Sequence, residues 1–364
     1  MSTSTPPRLP HAQHADELAE LLWSAVSAAD EYAATQLVLG ALDHGASPQT
    51  VLLDVIARVQ GKVGEEWAAN RISVAQEHAA TAINERVAAA VSVHPAARTT
   101  VTRGRITVAC VEGEWHGLPA RLLAEVLKLS GWQVDYLGAQ VPTPHLISHL
   151  HNTRADAVAL SSSIATRLPA AHAAITACQA IGVPVLVGGA AFGPNGRYAK
   201  LLGADAWAPD ARAAANHLAR ERLPRPEPDH QQFDDLPHLA DQEYTLVTRN
   251  AASLVRSVFA ALNDAFPAMR SYSELQRERT AEDLAHIVDF LATALYLDDE
   301  ELFIRFITWT AQILEARGVP AHSLPPALNL LAHELKDFPR ATRILQTGTR
   351  TLTTAPFTAA GNTA

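Results

Sequence analysis

The sequence predicts a multi-domain protein of mixed α and α/β class: a helical bundle, a parallel α/β domain and a second all-helical domain. Three observations carry this. Apolar residues recur at three- and four-residue spacing from about residue 15 to 93 and again from about 243 to 346. Between these stretches, short apolar runs alternate with helical text, the pattern of βαβ units in a parallel sheet. Polar stretches containing Pro, 94–105 and 222–241, separate the three parts. A chain of 364 residues gives each part enough length for a core of its own.

Residues 1–13 are polar and Pro-containing and are expected to be disordered. The bundle is placed at 14–95. Its first helical text, ADELAELLWSAVSAADEYAATQLVLGALDHG, runs to His44-Gly45. Ser47-Pro48 restarts a helix, since Pro suits a first turn. A further helix begins near Ser73, and short connections favour an antiparallel four-helix bundle. The α/β domain is placed at 104–222. Its strands are ITVACV, WQVDYLG, AVALSSS and VPVLVGG, each followed by a helix, the last being RYAKLLG. A linker at 223–241 leads to the helical domain at 242–346, and the Thr/Ala-rich tail 347–364 is expected to be disordered.

Composition excludes several classes. At 48% hydrophobic and 18% charged residues the chain reads as an ordinary soluble protein. A net charge of −9 argues against a broad nucleic-acid footprint. No apolar run reaches membrane-spanning length and the N-terminus has no signal-peptide core, so a cytoplasmic location with no membrane partner is expected. Cys110 and Cys178 are the only cysteines, too few for a disulfide framework or a cysteine-rich metal site.

The candidate site follows the first strand, in Glu112-Gly113-Glu114-Trp115-His116-Gly117-Leu118-Pro119. Loops at the carboxyl ends of parallel strands are where open α/β sheets bind ligands. An imidazole there can ligate a metal through one nitrogen while the other donates to Glu114, which sets tautomer and basicity. Alone, the short Glu-x-His pattern is better explained by a solvated or helix-capping histidine. Small residues end the neighbouring strands: Ser161 to Ser163 on the third and Gly188-Gly189-Ala190 on the fourth. Together they suggest a slot beside the sheet where a bulky group can approach the backbone.

These residues resemble a known signature. Glu114-x-His116-x-x-Pro119, Ser161 to Ser163 and Gly188-Gly189 look like the D-x-H-x-x-G, S-x-L and GG pattern of base-off/His-on cobalamin-binding domains. The resemblance covers roughly residues 15–220 and includes Tyr136-Leu137-Gly138 and Val141-Pro142. It implies a Rossmann-like (flavodoxin-like) domain in which His116 is the axial cobalt ligand and the Ser and Gly positions, Ser161, Ser163, Gly188 and Gly189, line the channel for the displaced nucleotide tail. Glu stands where Asp is usual at 114, and Pro stands for Gly at 119. A first-turn Pro needs no amide donor, so a local adjustment is expected.

In the bundle, Trp67 is followed after nine residues by Glu77-His78, which resembles the W-x9-E-H motif of light-responsive cobalamin-dependent repressors. There the Trp and Glu cap the upper face, where a 5′-deoxyadenosyl group sits. Taken alone, the same residues fit a core Trp and a solvated Glu-His pair. Where some repressors carry a His after the Trp that captures cobalt, this chain has Ala68; His78 is the remaining candidate.

The C-terminal helical domain looks globin-like, and the order of bundle, α/β domain and globin-like domain resembles the photocobilins. That resemblance implies a light receptor holding cobalamin and biliverdin together. With no cysteine beyond Cys178, a thioether-linked bilin is excluded. Arg256, Arg270 and Arg279, with Arg249, Arg305 and Arg317, are candidates for the propionates, Asp283 and His286 for the pyrrole nitrogens, and Tyr272 and Trp309, with Phe303, for packing on the rings. Thr280-x-x-Asp283 is also a capping-box pattern, which explains Asp283 without a ligand. Haem is the competing ligand, with His286 or His333 as its proximal candidate.

The resulting expectation is a photoreceptor, not an enzyme, using adenosylcobalamin (or methylcobalamin) and biliverdin. A homo-oligomer, a dimer with light-dependent association, and a downstream regulatory enzyme are the expected partners. DNA is not expected, because only about fourteen residues precede the bundle. The alternatives are a corrinoid methyl-carrier protein of a methyltransferase system and a regulator sensing haem or another small molecule.

Overall fold

The computed structural model describes residues 11–226 and 236–354, with side chains from residue 14. The expected disorder of residues 1–10 and 355–364 and the middle of the second linker lie outside the described residues. The chain divides into two compact units, 1–231 and 232–364.

The first unit opens with the bundle. Helix α1 (His11–Ser27) begins earlier than the expected disorder to residue 13 allows. It buries Ala15, Ala19, Leu22 and Val26, one stripe at helical spacing. The first helical text is not one helix. Ala29 takes a left-handed conformation, and the Asp30 side chain accepts from the Ala33 amide to cap a new helix, α2 (Glu31–Asp43). Apolar periodicity runs across this break because both helices face one core. Pro48 starts the next rod: α3 (Pro48–Thr50), a π-helical stretch Val51–Ile56 and α4 (Ala57–Ala68) follow without leaving helical φ/ψ. Helix α5 (Val74–Val93) is opened by a reciprocal Ser73–Gln76 capping box.

The α/β domain alternates β1 (Arg105–Cys110), α6 (Gly117–Leu129), β2 (Gln133–Gly138), α7 (Thr143–Thr153), β3 (Ala157–Ser161), α8 (Leu168–Ala180) and β4 (Val185–Gly188). It then continues beyond the sequence reading. After α9 (Arg197–Leu201) come a fifth strand, β5 (Ala206–Ala208), and α10 (Ala211–Arg220), capped by Asp210. Three residues are too few to show strand periodicity, and the sequence pattern assigns no element there. All strand pairs are parallel, in the order β2-β1-β3-β4-β5. That is the doubly wound, flavodoxin-like order, whose switch point lies between β1 and β3. β3 is buried throughout, and β1 is buried from Ile106 onward. Helix α5 packs on α6, which joins bundle and α/β domain in one unit.

The second unit is all helical: α11 (Glu243–Ala265), α12 (Glu274–Leu297), α13 (Glu300–Ala316), α14 (Leu324–Glu334) and α15 (Pro339–Thr354), with short 3-10 turns. Helix α12 starts at a Ser73-like capping box made by Ser273 and Gln276, so the expected Thr280–Asp283 cap is wrong. Thr280 lies inside the helix, its hydroxyl donating to the Gln276 carbonyl. The expected stripe Leu284, Ile287, Val288, Leu291 and Leu295 is buried. Helix α15 runs to Thr354, which corrects the expected disorder from 347. Its buried Ile344, Leu345 and Leu352 fall at helical spacing, a signal masked by the Thr-rich composition.

Candidate cobalamin site

The site is built on the carboxyl end of β1. Gly113 takes a left-handed φ of 78° and turns the chain, with the Arg167 guanidinium packed beside it. The turn drives Glu114 inward: its side chain is 0% exposed. One carboxylate oxygen, Oε1, accepts from the His116 amide at 2.9 Å and lies 2.6 Å from His116 Nδ1. The other, Oε2, accepts from the amides of Ser163 (2.7 Å) and Ile164 (3.0 Å) and from the Ser162 hydroxyl (3.2 Å). Burial by itself raises the pKa of this carboxyl. The His116 ring and the backbone amides of His116, Ser163 and Ile164 outweigh it and bring it to about 2.

An ionised Glu114 can only accept, so His116 Nδ1 carries the proton, and in the neutral ring the lone pair lies on Nε2. A second contact fixes the same tautomer. The Trp115 indole, a donor only, places Nε1 3.1 Å from His116 Nε2. His116 is the N-cap residue of α6 but its ring makes no capping bond, and its side chain is 43% exposed. The capping alternative for this histidine is thereby removed. Pro119 sits in the first turn of α6, where no amide donor is required, as expected. Below the loop, the Tyr136 hydroxyl donates to the Gly117 carbonyl at 3.1 Å and the Cys110 thiol faces the His116 carbonyl at 3.6 Å. Burial pushes both Tyr136 and Cys110 up to about 12, so both remain protonated donors at neutral pH.

The channel residues divide. Gly138 has a left-handed φ of 84° and nothing within 4 Å of where a Cβ would stand, which leaves open space at the end of β2. Gly189 is explained by the protein itself: at a φ of 103°, a Cβ would meet the Ser162 carbonyl oxygen at 2.2 Å. Gly188 lies against the Ala208 carbonyl. Ser161 is buried and its carbonyl accepts from Val111. Ser163 serves through its amide. The hydroxyl that reaches Glu114 belongs to Ser162, which sequence reasoning passed over in favour of its neighbours.

The bundle faces this loop through α5. Glu85 Oε1 lies 3.6 Å from the position of a Cβ built on Gly117. Glu77, Thr81 and Glu85 share a stripe at four-residue spacing, which sets Glu77 roughly 12 Å further along the helix. Glu77 bonds the Thr81 hydroxyl at 2.9 Å and pairs with His78 at 2.5 Å. Thr81 accepts from Gln60 of α4, and Gln60 accepts from the buried Asn84, tying the two helices. Trp67, half-buried, stands at the same end of this helical pair, and His78 is exposed.

In the second unit the expected bilin residues are scattered. Arg279, Asp283 and His286 share one face of α12 at helical spacing, with Asp283 half-buried and His286 exposed. Burial pushes the Asp283 carboxyl up, against the nearby His286. Arg279 is paired with Glu282 and Arg270 with Asp264, while Tyr272 packs edge-on against Phe266. Arg256 and Trp309 are exposed on α11 and α13. Phe303 is wholly buried against Gly348 and lies in the core. His333 is exposed.

Among the described residues no group of three or more His, Cys, Asp and Glu side chains could hold a metal ion, and no helix is long and apolar enough to cross a membrane. A metal at His116 would therefore need its other ligands from outside the protein. The buried carboxylate, the fixed tautomer and the half-exposed imidazole fit a metal that brings its own macrocycle.

Comparison with known proteins agrees. Residues 104–218 match the family model of a B12 binding domain, and residues 18–91 match a second model of that description. The chain is 29% identical to dimethylamine corrinoid protein 3 of Methanosarcina mazei over 149 residues, 40% of this chain and 87% of that protein. It is 34% identical to the HTH-type transcriptional repressor CarA of Myxococcus xanthus over 193 residues, 50% of this chain and 61% of the repressor. The chain thus spans less than two thirds of the repressor. The solved structure of the Methanosarcina barkeri monomethylamine corrinoid protein aligns with 56% of this chain and 98% of its own, at 20% identity and a TM-score of 0.49. Residues 18–91 and 104–218 are B12-binding domains, and the cofactor they take is a cobalamin or a related corrinoid.

Proposed function

We propose that the protein is a cobalamin-dependent light sensor and not an enzyme, with His116 as the lower axial ligand of adenosylcobalamin. The observation that carries the reading is the paired placement of the His116 loop and the Glu77–Thr81–Glu85 stripe of α5. Glu85 stands at the loop, and Glu77 lies two turns away, roughly 12 Å along α5.

When bound, adenosylcobalamin supplies a weak cobalt–carbon bond that light breaks, freeing the deoxyadenosyl group. The chain's own residues do the rest. Glu114 holds His116 as the Nδ1–H tautomer and so presents Nε2. Trp67 offers a flat apolar surface and Glu77 an acceptor for ribose hydroxyls on the upper face. Contacts made by Trp67 and Glu77 in the dark only are what bias the bundle, which is the requirement for a switch. His78, exposed and adjacent, is the candidate second ligand after photolysis. Gly138, Ser161, Ser163, Gly188 and Gly189 border the nucleotide tail. The output is a change in self-association, passed to a separately encoded regulatory enzyme.

The second unit is read as a globin-like biliverdin domain, with Asp283 as the carboxyl at the pyrrole nitrogens. Its support is the helical order of the chain and the half-burial of Asp283. A methyl carrier is the second reading, favoured by the match to the dimethylamine corrinoid protein. The two separate in one experiment. The purified protein is mixed in darkness with adenosylcobalamin and biliverdin, desalted, and its absorbance recorded before and after green light. Irreversible change in the cobalamin bands accompanied by a light-dependent change in oligomer size on gel filtration, beside a retained red-absorbing bilin band, supports the sensor. Retained cobalamin whose photolysis leaves the oligomer size unchanged refutes it and leaves the methyl carrier; loss of the bilin on desalting removes the second pigment alone.

A further inference from the structure

Trp115 lies between Glu114 and His116, and no part of the reading above uses its side chain in the bound state. It is among the largest exposed apolar groups, at 59%. Its backbone is held on both sides. Glu114 is fully buried, and the His116 amide donates to the Glu114 carboxylate. The indole, by contrast, leans over the His116 ring with centroids 5.7 Å apart and planes tilted by 50°. Its Nε1–H donates to His116 Nε2 at 3.1 Å.

The Nε2 lone pair is single. The Nδ1–H tautomer, fixed by Glu114, leaves it as the only acceptor on the ring and the only atom that can bind a metal. Indole N–H and cobalt therefore compete for one electron pair along one direction. We propose that Trp115 is a cap on the metal-binding nitrogen of His116, which must swing aside before an axial cobalt ligand can form. Because the flanking backbone is pinned, the movement is confined to the Trp115 side chain. The cap keeps His116 in its ligating tautomer and slows or weakens cofactor capture by the value of one hydrogen bond. This rests on the assignment of His116 as the cobalt ligand.

Three proteins test it: wild type, Trp115→Phe, which keeps a ring but loses the N–H, and Trp115→Ala. In the protein without cobalamin, Trp115→Phe should shift the nitrogen-15 resonance of His116 Nε2, and this readout is independent of any cofactor. With adenosylcobalamin added in darkness, the Trp115 indole N–H resonance of wild type should move on binding. Trp115→Phe should bind about 2- to 10-fold faster or tighter, the range set by one net hydrogen bond. Trp115→Ala shows the same gain when the hydrogen bond alone matters. An unmoved His116 resonance, or a Trp115→Phe variant that binds no faster and no tighter than wild type, overturns the cap. Failure of wild type to bind adenosylcobalamin while the His116 resonance still shifts overturns the ligand assignment and with it the cap's role, but leaves the hydrogen bond standing.

Discussion

Glu114→Gln is the most informative substitution, since it keeps the size of the side chain and changes only what it can accept. Five donors converge on this carboxylate: the His116 amide and Nδ1–H on Oε1, and the Ser163 amide, Ile164 amide and Ser162 hydroxyl on Oε2. In glutamine one of the two oxygens becomes an NH2 group. Turned toward Oε2's partners, it faces two buried amides that cannot accept. Turned toward His116, it opposes the Nδ1–H and forces the proton to Nε2, where cobalt would bind. Bonds to a charged acceptor contribute about 1.5–3 kcal/mol each, and a buried donor left alone costs about 1–3 kcal/mol. A second route gives a similar size. A carboxyl lowered from 4.5 to about 2 corresponds to roughly 3 kcal/mol at about 1.4 kcal/mol per pH unit. Urea unfolding at neutral pH should show the N-terminal unit destabilised by about 3 kcal/mol, and adenosylcobalamin affinity should fall at least about tenfold. Because the folded carboxyl is the stronger acid, wild type holds this stabilisation above about 4.5 and loses it as pH falls toward 2. The variant's deficit should shrink over that same window. Wild-type stability with wild-type affinity would refute the argument.

Other outcomes follow from single contacts. Gly189→Ala should cost at least about 3 kcal/mol, because strained φ adds to a collision with the Ser162 carbonyl, whereas Gly138→Ala, with open space around it, should cost about 1–2 kcal/mol; paired urea curves check both. Arg340 bridges Asp241 and Asp298 and donates to the His238 and Leu295 carbonyls, so Arg340→Ala should destabilise the C-terminal unit by about 2–4 kcal/mol, with Arg340→Lys restoring only part. Burial raises the Asp283 carboxyl, so its ionisation opposes folding as pH rises. Asp283→Asn should be at least as stable as wild type at neutral pH and lose that advantage below the ordinary carboxylate range, by thermal melts across pH.

The fold was legible where periodicity was long. Strands β1 to β4 and helices α5 to α8 fall where alternation of apolar and polar text places them. Short or punctuated elements escaped: β5 has three residues, and the α1–α2 break rests on one left-handed alanine and one aspartate cap that periodicity does not register. Composition misled at α15, whose threonines donate to carbonyls one turn back, as the Thr349 hydroxyl does to Leu345. At the site, Glu114 and His116 were readable because their spacing lets one ring bond one carboxylate. Ser162 was not, since which of three adjacent serines points at Glu114 depends on the pleat and on the turn after β3. Trp115 carried no sequence signal, because an indole one residue from a histidine meets it only in a particular turn. In the C-terminal unit, residue types alone suggested a constellation. The structure gathers three of its members on α12, while arginines 270 and 279 are engaged by neighbouring acids.

The central claim is that His116 binds cobalt. Electron paramagnetic resonance of the protein loaded with the cobalt(II) form of cobalamin tests it most directly, with nitrogen-15 introduced into the protein's histidines only. The account predicts a cobalt spectrum split by one axial nitrogen whose multiplicity changes on that labelling and which is lost in His116→Ala. A splitting that ignores the label, and so arises from the cofactor's own base, would contradict it.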